Sequence, residues 1–339
     1  MDHKKWIAVM LAIVMALSLG ACGQETAQEP TVTQAPTETE PVKTLPDDLT
    51  AECGSWLLDT VPEAGYGSAG GEWVILGLAR SGVQVPGGYF EDYFEKVAAY
   101  TAQMGGVLHE KKYTEYSRVI LAVTAIGKDP TDVGGFDLLL PLADYEQTIF
   151  QGINGPVFAL LALDSGDYEI PVNVAGGTQA TRELYVDCIL SAECPGGGWT
   201  LAGAEADVDI TAMALQALAK YQDRQDVMEA TERALTVLSQ LQNAEGGYTA
   251  YGYESSESIA QVITALAELG IGIDDPRFVK NGNTLKDRLL DFMEEDGSFR
   301  HLQDGDTDLI ATEQAFYALV ALERREQGKT TLYDMSDVR

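Results

Sequence analysis

The apolar positions of this chain recur at three- and four-residue spacing, which predicts α-helices, and two kinds of helix alternate along it. One kind carries charged residues between its apolar positions, so one face is expected to be buried and the other solvated. Its members are the segments 89–104, 182–190, 226–242 and 283–295. The other kind is rich in alanine and apolar on most sides, which indicates a helix surrounded by protein.

The alanine-rich helix recurs six times. Aligned on Leu78, Val123, Leu160, Leu215, Leu266 and Leu319, its copies are separated by 45, 37, 55, 51 and 53 residues. Several copies end in a glycine that is followed closely by a proline, a usual end of a helix. A near-constant period with two helices in each unit predicts six helical hairpins packed side by side.

Glycine-rich turns with an aromatic residue lead towards three of the later alanine-rich helices. They read GGGWT at 196–200, GGYTAYGY at 246–253 and GSFRH at 297–301. Glycine allows the backbone to turn tightly, and the aromatic ring can pack over the helix ends. Six hairpins could stack as an open solenoid or close into a ring, and these turns help to choose between the two.

The segment LSQLQNAEGGY, with Gln242 and Tyr248 at its matching ends, is similar to a glutamine and glycine–aromatic motif. That motif belongs to the terpenoid cyclase and protein prenyltransferase repeat superfamily, which the chain resembles over most of residues 56–322. The resemblance implies an all-α fold, an α/α toroid of about six helical hairpins with inner and outer rings. The superfamily includes cyclases, prenyltransferase subunits, corrinoid carriers and complement-like thioester domains. It therefore specifies the fold better than the function.

The first residues have the layout of a bacterial export signal. A basic start and a short apolar run precede the sequence LGAC at 19–22, which resembles a lipobox. The resemblance implies cleavage before Cys22 and lipidation of its thiol. We therefore expect residues 1–21 to be a signal peptide, residues 22–46 to be a disordered tether rich in Thr, Pro and Glu, and residues 47–339 to be the toroid. The protein is expected to be lipid-anchored to the outer face of the bacterial cell membrane.

Charge and cysteine content narrow the choice of partners. With 22 basic and 53 acidic side chains the formal net charge is −31, which argues against nucleic acid as a partner. The candidate partners that remain are a small molecule, a glycan or an exported protein. Besides Cys22, the chain has Cys53, Cys188 and Cys194, which we expect to be buried thiols or to include one Cys188–Cys194 bridge.

No cofactor is expected. The alternating acids Asp304, Asp306 and Asp308 resemble the start of a calcium loop, but Leu309 replaces the glycine and Ala315 the distal glutamate of such loops. We interpret this segment as a solvated loop that caps a helix. Zinc is not expected either, because the chain has no Cys-x-x-Cys pair.

Paired carboxylates occur in the phrase DVDITA at 207–212. It resembles the Asp-x-Asp-Asp-Thr-Ala motif of class II terpene cyclases, except that Ile210 replaces an aspartate. The resemblance would make Asp209 the protonating acid with Asp207 beside it. Without a carboxyl group at position 210, the protonated form of Asp209 would be less well stabilised. Aromatic residues make up 8% of the chain, which is few for a pocket that stabilises carbocations. The alternative is that both aspartates cap an inner helix; aligned on the inner helices, Asp209 corresponds to Glu313.

Several functions stay open, and we expect binding rather than catalysis. The expected pocket lies where the glycine–aromatic turns meet the starts of the inner helices. Its candidate residues are Trp199, Asp207, Asp209, Tyr248, Tyr251, Gln261, Glu313 and Gln314.

The alternatives are two kinds of enzyme and one carrier. A degenerate terpene cyclase would use Asp209 as its general acid. A polysaccharide-active enzyme would use converging carboxylates from Asp209, Glu257 and Glu313. A transcobalamin-like corrinoid module would also need a β domain after the toroid, which the sequence does not predict.

Overall fold

The computed structural model describes residues 48–250 and 252–338, and within them the chain is mainly helical. The helices are α1 Leu49–Thr60, α2 Trp73–Arg80, α3 Tyr89–Gln103, α4 Thr114–Ala125, α5 Tyr145–Thr148, α6 Asn154–Ser165, α7 Arg182–Ser191, α8 Val208–Leu218, α9 Gln225–Leu241, α10 Ser256–Glu268, α11 Leu285–Leu290 and α12 Leu309–Glu326. A short antiparallel hairpin, β1 Thr249–Ala250 and β2 Tyr253–Glu254, precedes α10, with Thr249 opposite Glu254.

The even-numbered helices form a closed inner ring. Each of them packs on the next in the order α2, α4, α6, α8, α10 and α12, and α12 packs back on α2. Odd-numbered helices lie outside: α7 packs on α6, α9 on α8, α11 on α10 and α1 on α12. The predicted α/α toroid of six hairpins is confirmed.

Small residues let the inner helices approach each other closely. A Cβ atom added at Gly77 of α2 would lie 2.6 Å from the ring of Phe316 on α12, so this contact requires glycine. Alanines such as Ala212, Ala260 and Ala318 are fully buried in α8, α10 and α12. The alanine-rich composition of the inner helices therefore allows the ring to close.

The outer helices match the sequence prediction in three of four cases. Helices α3, α7 and α9 begin and end within one residue of the predicted segments, but α11 covers only part of 283–295. Beyond Leu290 the chain turns, and Met293 pairs with Phe299 across the turn. Phe292, Met293 and Phe299 are all fully buried there. Burial of this aromatic turn outweighs continuation of the helix.

Two further expectations concern the cysteines and the membrane. Cys53, Cys188 and Cys194 are free thiols, and Cys53 and Cys194 are buried, so the Cys188–Cys194 bridge is not formed. Within residues 48–250 and 252–338 no helix combines the length and apolarity needed to cross a membrane. The predicted signal peptide, Cys22 and the tether lie outside the described residues.

Candidate functional site at the mouth of the inner ring

The inner helices begin at the same end of the toroid, because inner and outer helices alternate in direction. We call this end the mouth. Near it, each inner helix has one or two partly accessible positions among buried ones. These positions are Trp73, Arg118, Phe158, Asp209, Met213, Glu257 and Gln314, and we call the set the funnel.

Contacts across the ring show that funnel residues face its axis. Trp73 on α2 lies 6.1 Å from Phe158 on α6, measured between ring centroids, although α4 separates these helices in the ring. Trp73 also lies 5.9 Å from Tyr317 on α12. One side of the funnel is therefore an aromatic wall formed by Trp73, Phe158 and Tyr317.

A chain of amides adjoins this wall. Gln261 Nε2 donates to Gln314 Oε1 at 3.0 Å and to the Tyr317 hydroxyl at 2.5 Å. Gln216 Nε2 in turn donates to Gln261 Oε1 at 2.9 Å. The structure thus brings together Gln261 and Gln314, two of the predicted site residues, and joins them to the aromatic wall.

Asp209 is a funnel carboxylate whose surroundings change its pKa. Burial raises its pKa to about 6, against the lowering effect of a hydrogen bond from Ser258, and the carboxylates of Asp207 and Glu257 add to the increase. Its Oδ1 is buried and has no hydrogen-bond partner within the protein. Nearby, Glu257 Oε1 lies 2.7 Å from His301 Nδ1. Asp209 and Glu257 form a carboxylate pair at the start of α8 and α10.

Asp207 and Thr211 of the DVDITA phrase connect the glycine–aromatic turn at Trp199 to the start of α8. The Asp207 side chain accepts from the Ile210 N–H at 3.0 Å and caps α8. Thr211 Oγ1 accepts from the Trp199 N–H at 2.9 Å and donates to the Trp199 carbonyl at 3.1 Å. The same pattern joins Thr312 to Phe299 at 2.9 and 3.3 Å. Capping by Asp207 is confirmed, whereas Asp209 makes no cap.

The caps also correct the alignment of the repeats. Asp308 caps α12 through the Ala311 N–H at 2.9 Å, as Asp207 caps α8. Asp207 therefore corresponds to Asp308, and Asp209 corresponds to Ile310 rather than to Glu313. A shift of this size arises because the alanine-rich helices match each other in several registers.

Trp199 and Tyr248, predicted to line the pocket, are completely buried. The Trp199 indole N–H donates to the Ile189 carbonyl at 2.7 Å, behind the turn. Their prediction as ligand contacts was wrong, since these rings fill the core between the turn and the helix pair. Tyr251 lies outside the described residues.

Glu313 is buried in the wall between α12 and α2. Its Oε1 accepts from the Gly70 N–H at 2.7 Å, and Oε2 has no partner. Burial raises its pKa to about 7; the Gly70 bond opposes this, and the carboxylates of Asp308 and Glu72 add to it. Glu313 has no accessible surface, so of the three proposed carboxylates the funnel contains only Asp209 and Glu257.

The cation of the funnel is already paired. Arg118 donates to Glu72 at 2.7 Å and to Glu115 at 2.5 Å, and Glu115 also accepts from the Tyr66 hydroxyl at 3.0 Å. Tyr66 stacks on Tyr100 with 4.3 Å between ring centroids. Two carboxylates against one guanidinium leave this side of the mouth negative as well.

The acidic loop before α12 has the capping role expected for it. Asp304 and Asp306 are exposed, and the Asp308 carboxylate accepts a hydrogen bond from the N-terminus of α12. Within the part of the chain that the structure describes, no group of three or more His, Cys, Asp or Glu side chains is placed to hold a metal ion.

Sequence reasoning missed Trp73, Arg118, Phe158, Met213 and Tyr317. A signal for them exists, because residues four apart lie on one face of a helix. Asp209 and Met213 on α8 are spaced in this way, as are Glu257 and Gln261 on α10. The sequence does not show which face of an almost entirely apolar helix points to the axis.

Similarity to known proteins is structural. No family model and no curated protein sequence matches the chain. An unsaturated glucuronyl hydrolase from Bacillus sp. GL1, described as responsible for the degradation of glycosaminoglycan, is similar with a TM-score of 0.52 and 13% identity, over 85% of this chain and 97% of the hydrolase. A second structure, described with the sugar chain dGlcA-Glc-Rha-Glc, gives the same TM-score and identity over 84% of this chain and 97% of that chain.

A weaker similarity, with a TM-score of 0.43 and 16% identity, links 74% of this chain to 50% of an ent-copalyl diphosphate synthase from Streptomyces platensis. At these identities the comparisons show the fold alone. The chain shares the α/α toroid fold with the glucuronyl hydrolase.

Proposed function

We propose that the protein is a lipid-anchored surface protein whose toroid binds the end of a glycan in the funnel. Sugars present C–H faces that pack on aromatic rings and hydroxyl groups that hydrogen-bond to carboxylates and amides. The funnel offers both, with the rings of Trp73 and Phe158 and the polar groups of Asp209, Glu257 and Gln314.

The observation that carries the proposal is the unpartnered Oδ1 of Asp209. A buried carboxylate oxygen without a hydrogen bond costs about 1–3 kcal/mol or more. Asp209 as a residue is partly accessible, so a rotation of its side chain that exposes this oxygen would allow it to accept a hydroxyl donated by a ligand. The hydrogen bond that the protein lacks would then form on binding.

Charge selects among glycans. Arg118 is neutralised by Glu72 and Glu115, whereas the basic group next to Asp209 and Glu257 is the imidazole of His301, 2.7 Å from Glu257. Like charges in a partly desolvated site repel, so sugars that carry carboxylates are disfavoured. We expect neutral and amine-bearing sugars to bind, unlike the acidic sugar in the name of the structurally similar glucuronyl hydrolase.

Calorimetric titration of the full chain tests this with three β-1,4-linked tetrasaccharides of glucose, glucosamine and glucuronic acid. The glucose and glucosamine chains are expected to bind, and the glucuronic acid chain at least about tenfold more weakly, equivalent to about 1.4 kcal/mol. Absence of binding by all three chains contradicts glycan binding. Strongest binding by the glucuronic acid chain contradicts the inferred charge preference.

A second candidate is acid-catalysed glycoside hydrolysis, favoured by the pKa of about 6 at Asp209. A carboxyl group that titrates near neutrality can protonate a leaving oxygen, and Glu257 supplies the second carboxylate that the reaction needs. Release of new reducing ends from the same tetrasaccharides would establish hydrolysis. Tetrasaccharides that stay intact after prolonged incubation would exclude hydrolysis and leave binding as the function.

Lipid anchoring follows from the LGAC sequence at 19–22 and is tested separately. Cys22→Ser is expected to move the protein from the membrane fraction to the soluble fraction of the bacterium and to abolish incorporation of labelled palmitate. Cys188→Ser, at a partly exposed thiol, serves as the control and should change neither. Unchanged labelling of Cys22→Ser would refute the anchor.

A further inference from the structure

The segment 329–338, which follows α12, crosses the end of the ring opposite the mouth. Leu332, Tyr333 and Met335 of this segment are buried, with exposures of 0, 6 and 2%. The Met335 N–H donates to the Ser165 carbonyl at the end of α6, 2.9 Å away. We call residues 329–338 the crossing segment.

Two buried arginines hold the crossing segment. Arg80 donates to the carbonyls of Leu332 and Asp334 at 3.1 and 2.7 Å and pairs with Asp337 at 2.6 Å. Arg324 pairs with the other oxygen of Asp337, also at 2.6 Å. The segment is thereby fixed against the ring and closes this end.

A cavity of about 210 Å³ lies between the ring and the crossing segment. Its wall is formed by the last turns of α6, α8 and α10 and by residues 331, 333 and 334. An adjoining groove shares Asp164, Lys220 and Asp334 with it, so these three side chains border the entrance.

The inner end of the cavity contains a carboxylate. Glu268 lines it at the end of α10, and Glu268 Oε1 accepts from the Tyr333 N–H at 3.3 Å. Burial raises the pKa of Glu268 to about 7, with hydrogen bonds from Thr331, Tyr333 and Leu332 and the charge of Arg80 opposing the increase. The C-terminal ends of three helices also direct partial negative charge towards this space.

The remaining wall decides what kind of cation fits. Leu161, Ala217 and Ala219 make part of it apolar, which suits an alkyl group rather than a hydrated ion. Metal binding is not indicated there, because the residues that the structure describes contain no group of three or more potential ligands. At the entrance, Asp164 is paired with Arg182 at 2.7 Å, and Asp334 and Lys220 are the other charged side chains, so the entrance itself is close to neutral.

We infer that this cavity binds a small organic ammonium ion, with its nitrogen at Glu268 and its alkyl part against Leu161 and Ala217. The site lies at the end of the ring opposite the mouth. Gln216 lines it and hydrogen-bonds to Gln261 of the amide chain, but the inference does not rest on glycan binding. The crossing segment forms one wall, so binding also ties this segment more firmly to the ring.

Titration of the full chain with n-butylammonium chloride, followed by calorimetry, tests the inference. Saturable binding is expected for butylammonium, whereas 1-butanol, which has the same number of non-hydrogen atoms but no charge, should bind at least tenfold more weakly. Glu268→Gln should lower the butylammonium affinity by at least tenfold, and Glu229→Gln on the exposed face of α9 should leave it unchanged.

The pH dependence gives a second measurement that needs no variant. Glu268 is protonated below its pKa and charged above it, and an alkylammonium ion stays charged well above neutrality, as the lysine ammonium does. Affinity should therefore rise between about pH 6 and about pH 8. Binding of butanol as tight as that of butylammonium, an unchanged affinity of Glu268→Gln, or an affinity independent of pH would each overturn the inference.

Discussion

Replacing Arg80 by methionine is expected to lower the free energy of unfolding by about 3–5 kcal/mol, as removal of one partner from a buried ion pair does. The Arg80 side chain is 2% exposed and binds several groups of the crossing segment. Methionine fills similar space but leaves the carbonyls of Leu332 and Asp334 without the Arg80 donor. Asp337 then keeps only Arg324 as an ion-pair partner. Urea denaturation of the full chain, followed by circular dichroism, measures the change.

An exposed ion pair provides the matched control. Lys96 pairs with Glu63 at 3.0 Å, and the side chains are 41 and 80% exposed. Lys96→Met should change the free energy of unfolding by no more than about 0.5 kcal/mol, because water screens such pairs. Equal stability of Arg80→Met and the unmodified chain would show that the crossing segment contributes little to the closed ring.

Asp209→Asn is expected to weaken binding of the glucose tetrasaccharide by about tenfold to a hundredfold. Hydrogen bonds to a charged group contribute about 1.5–3 kcal/mol, and asparagine keeps the shape of the side chain while removing the charge. The fold should tolerate the change, since Asp209 Oδ1 has no protein partner to lose. Isothermal titration calorimetry measures the affinity, and thermal melting checks that the variant is folded.

Asp306→Asn is the control for Asp209→Asn, because Asp306 is exposed in the loop before α12 and lies outside the funnel. It should bind the tetrasaccharide as the unmodified chain does. A similar loss of affinity in both variants would point to the overall negative charge, and not to Asp209, as the cause.

Most of the fold could be predicted from helical periodicity and from the repeat. Six alanine-rich copies at near-constant spacing predicted six inner helices, and the structure closes them into a ring. The length of α11 could not be predicted, because the turn after Leu290 is determined by the burial of Phe292, Met293 and Phe299 against other parts of the chain. Local propensity contains no information about that burial.

The candidate site was predictable only in part. Asp209 was found through the DVDITA phrase, and Gln261 and Gln314 through the pocket expected at the starts of the inner helices. The structure links all three to Tyr317 and its neighbours. Trp199 and Tyr248 belong to the same turn motif but fill the core, since a glycine–aromatic turn buries its ring. Trp73 and Phe158 come from the early repeats and meet across the ring, a contact that local sequence does not reveal.

The crossing segment was the largest omission. Residues 329–338 have little apolar periodicity, and their position depends on Arg80, which is about 250 residues earlier in the chain. An arginine at the end of an apolar helix was the available signal, because such a residue is rarely buried without partners. The cavity behind the crossing segment exists because of this long-range contact, and the local sequence does not predict it.

Glycan binding in the funnel is tested most directly by titrating the glucose tetrasaccharide into the unmodified chain and Asp209→Asn side by side. We expect saturable binding to the unmodified chain and an affinity at least about tenfold lower for the folded variant. No detectable binding to the unmodified chain, or equal affinities of the two proteins, would contradict a glycan site at Asp209.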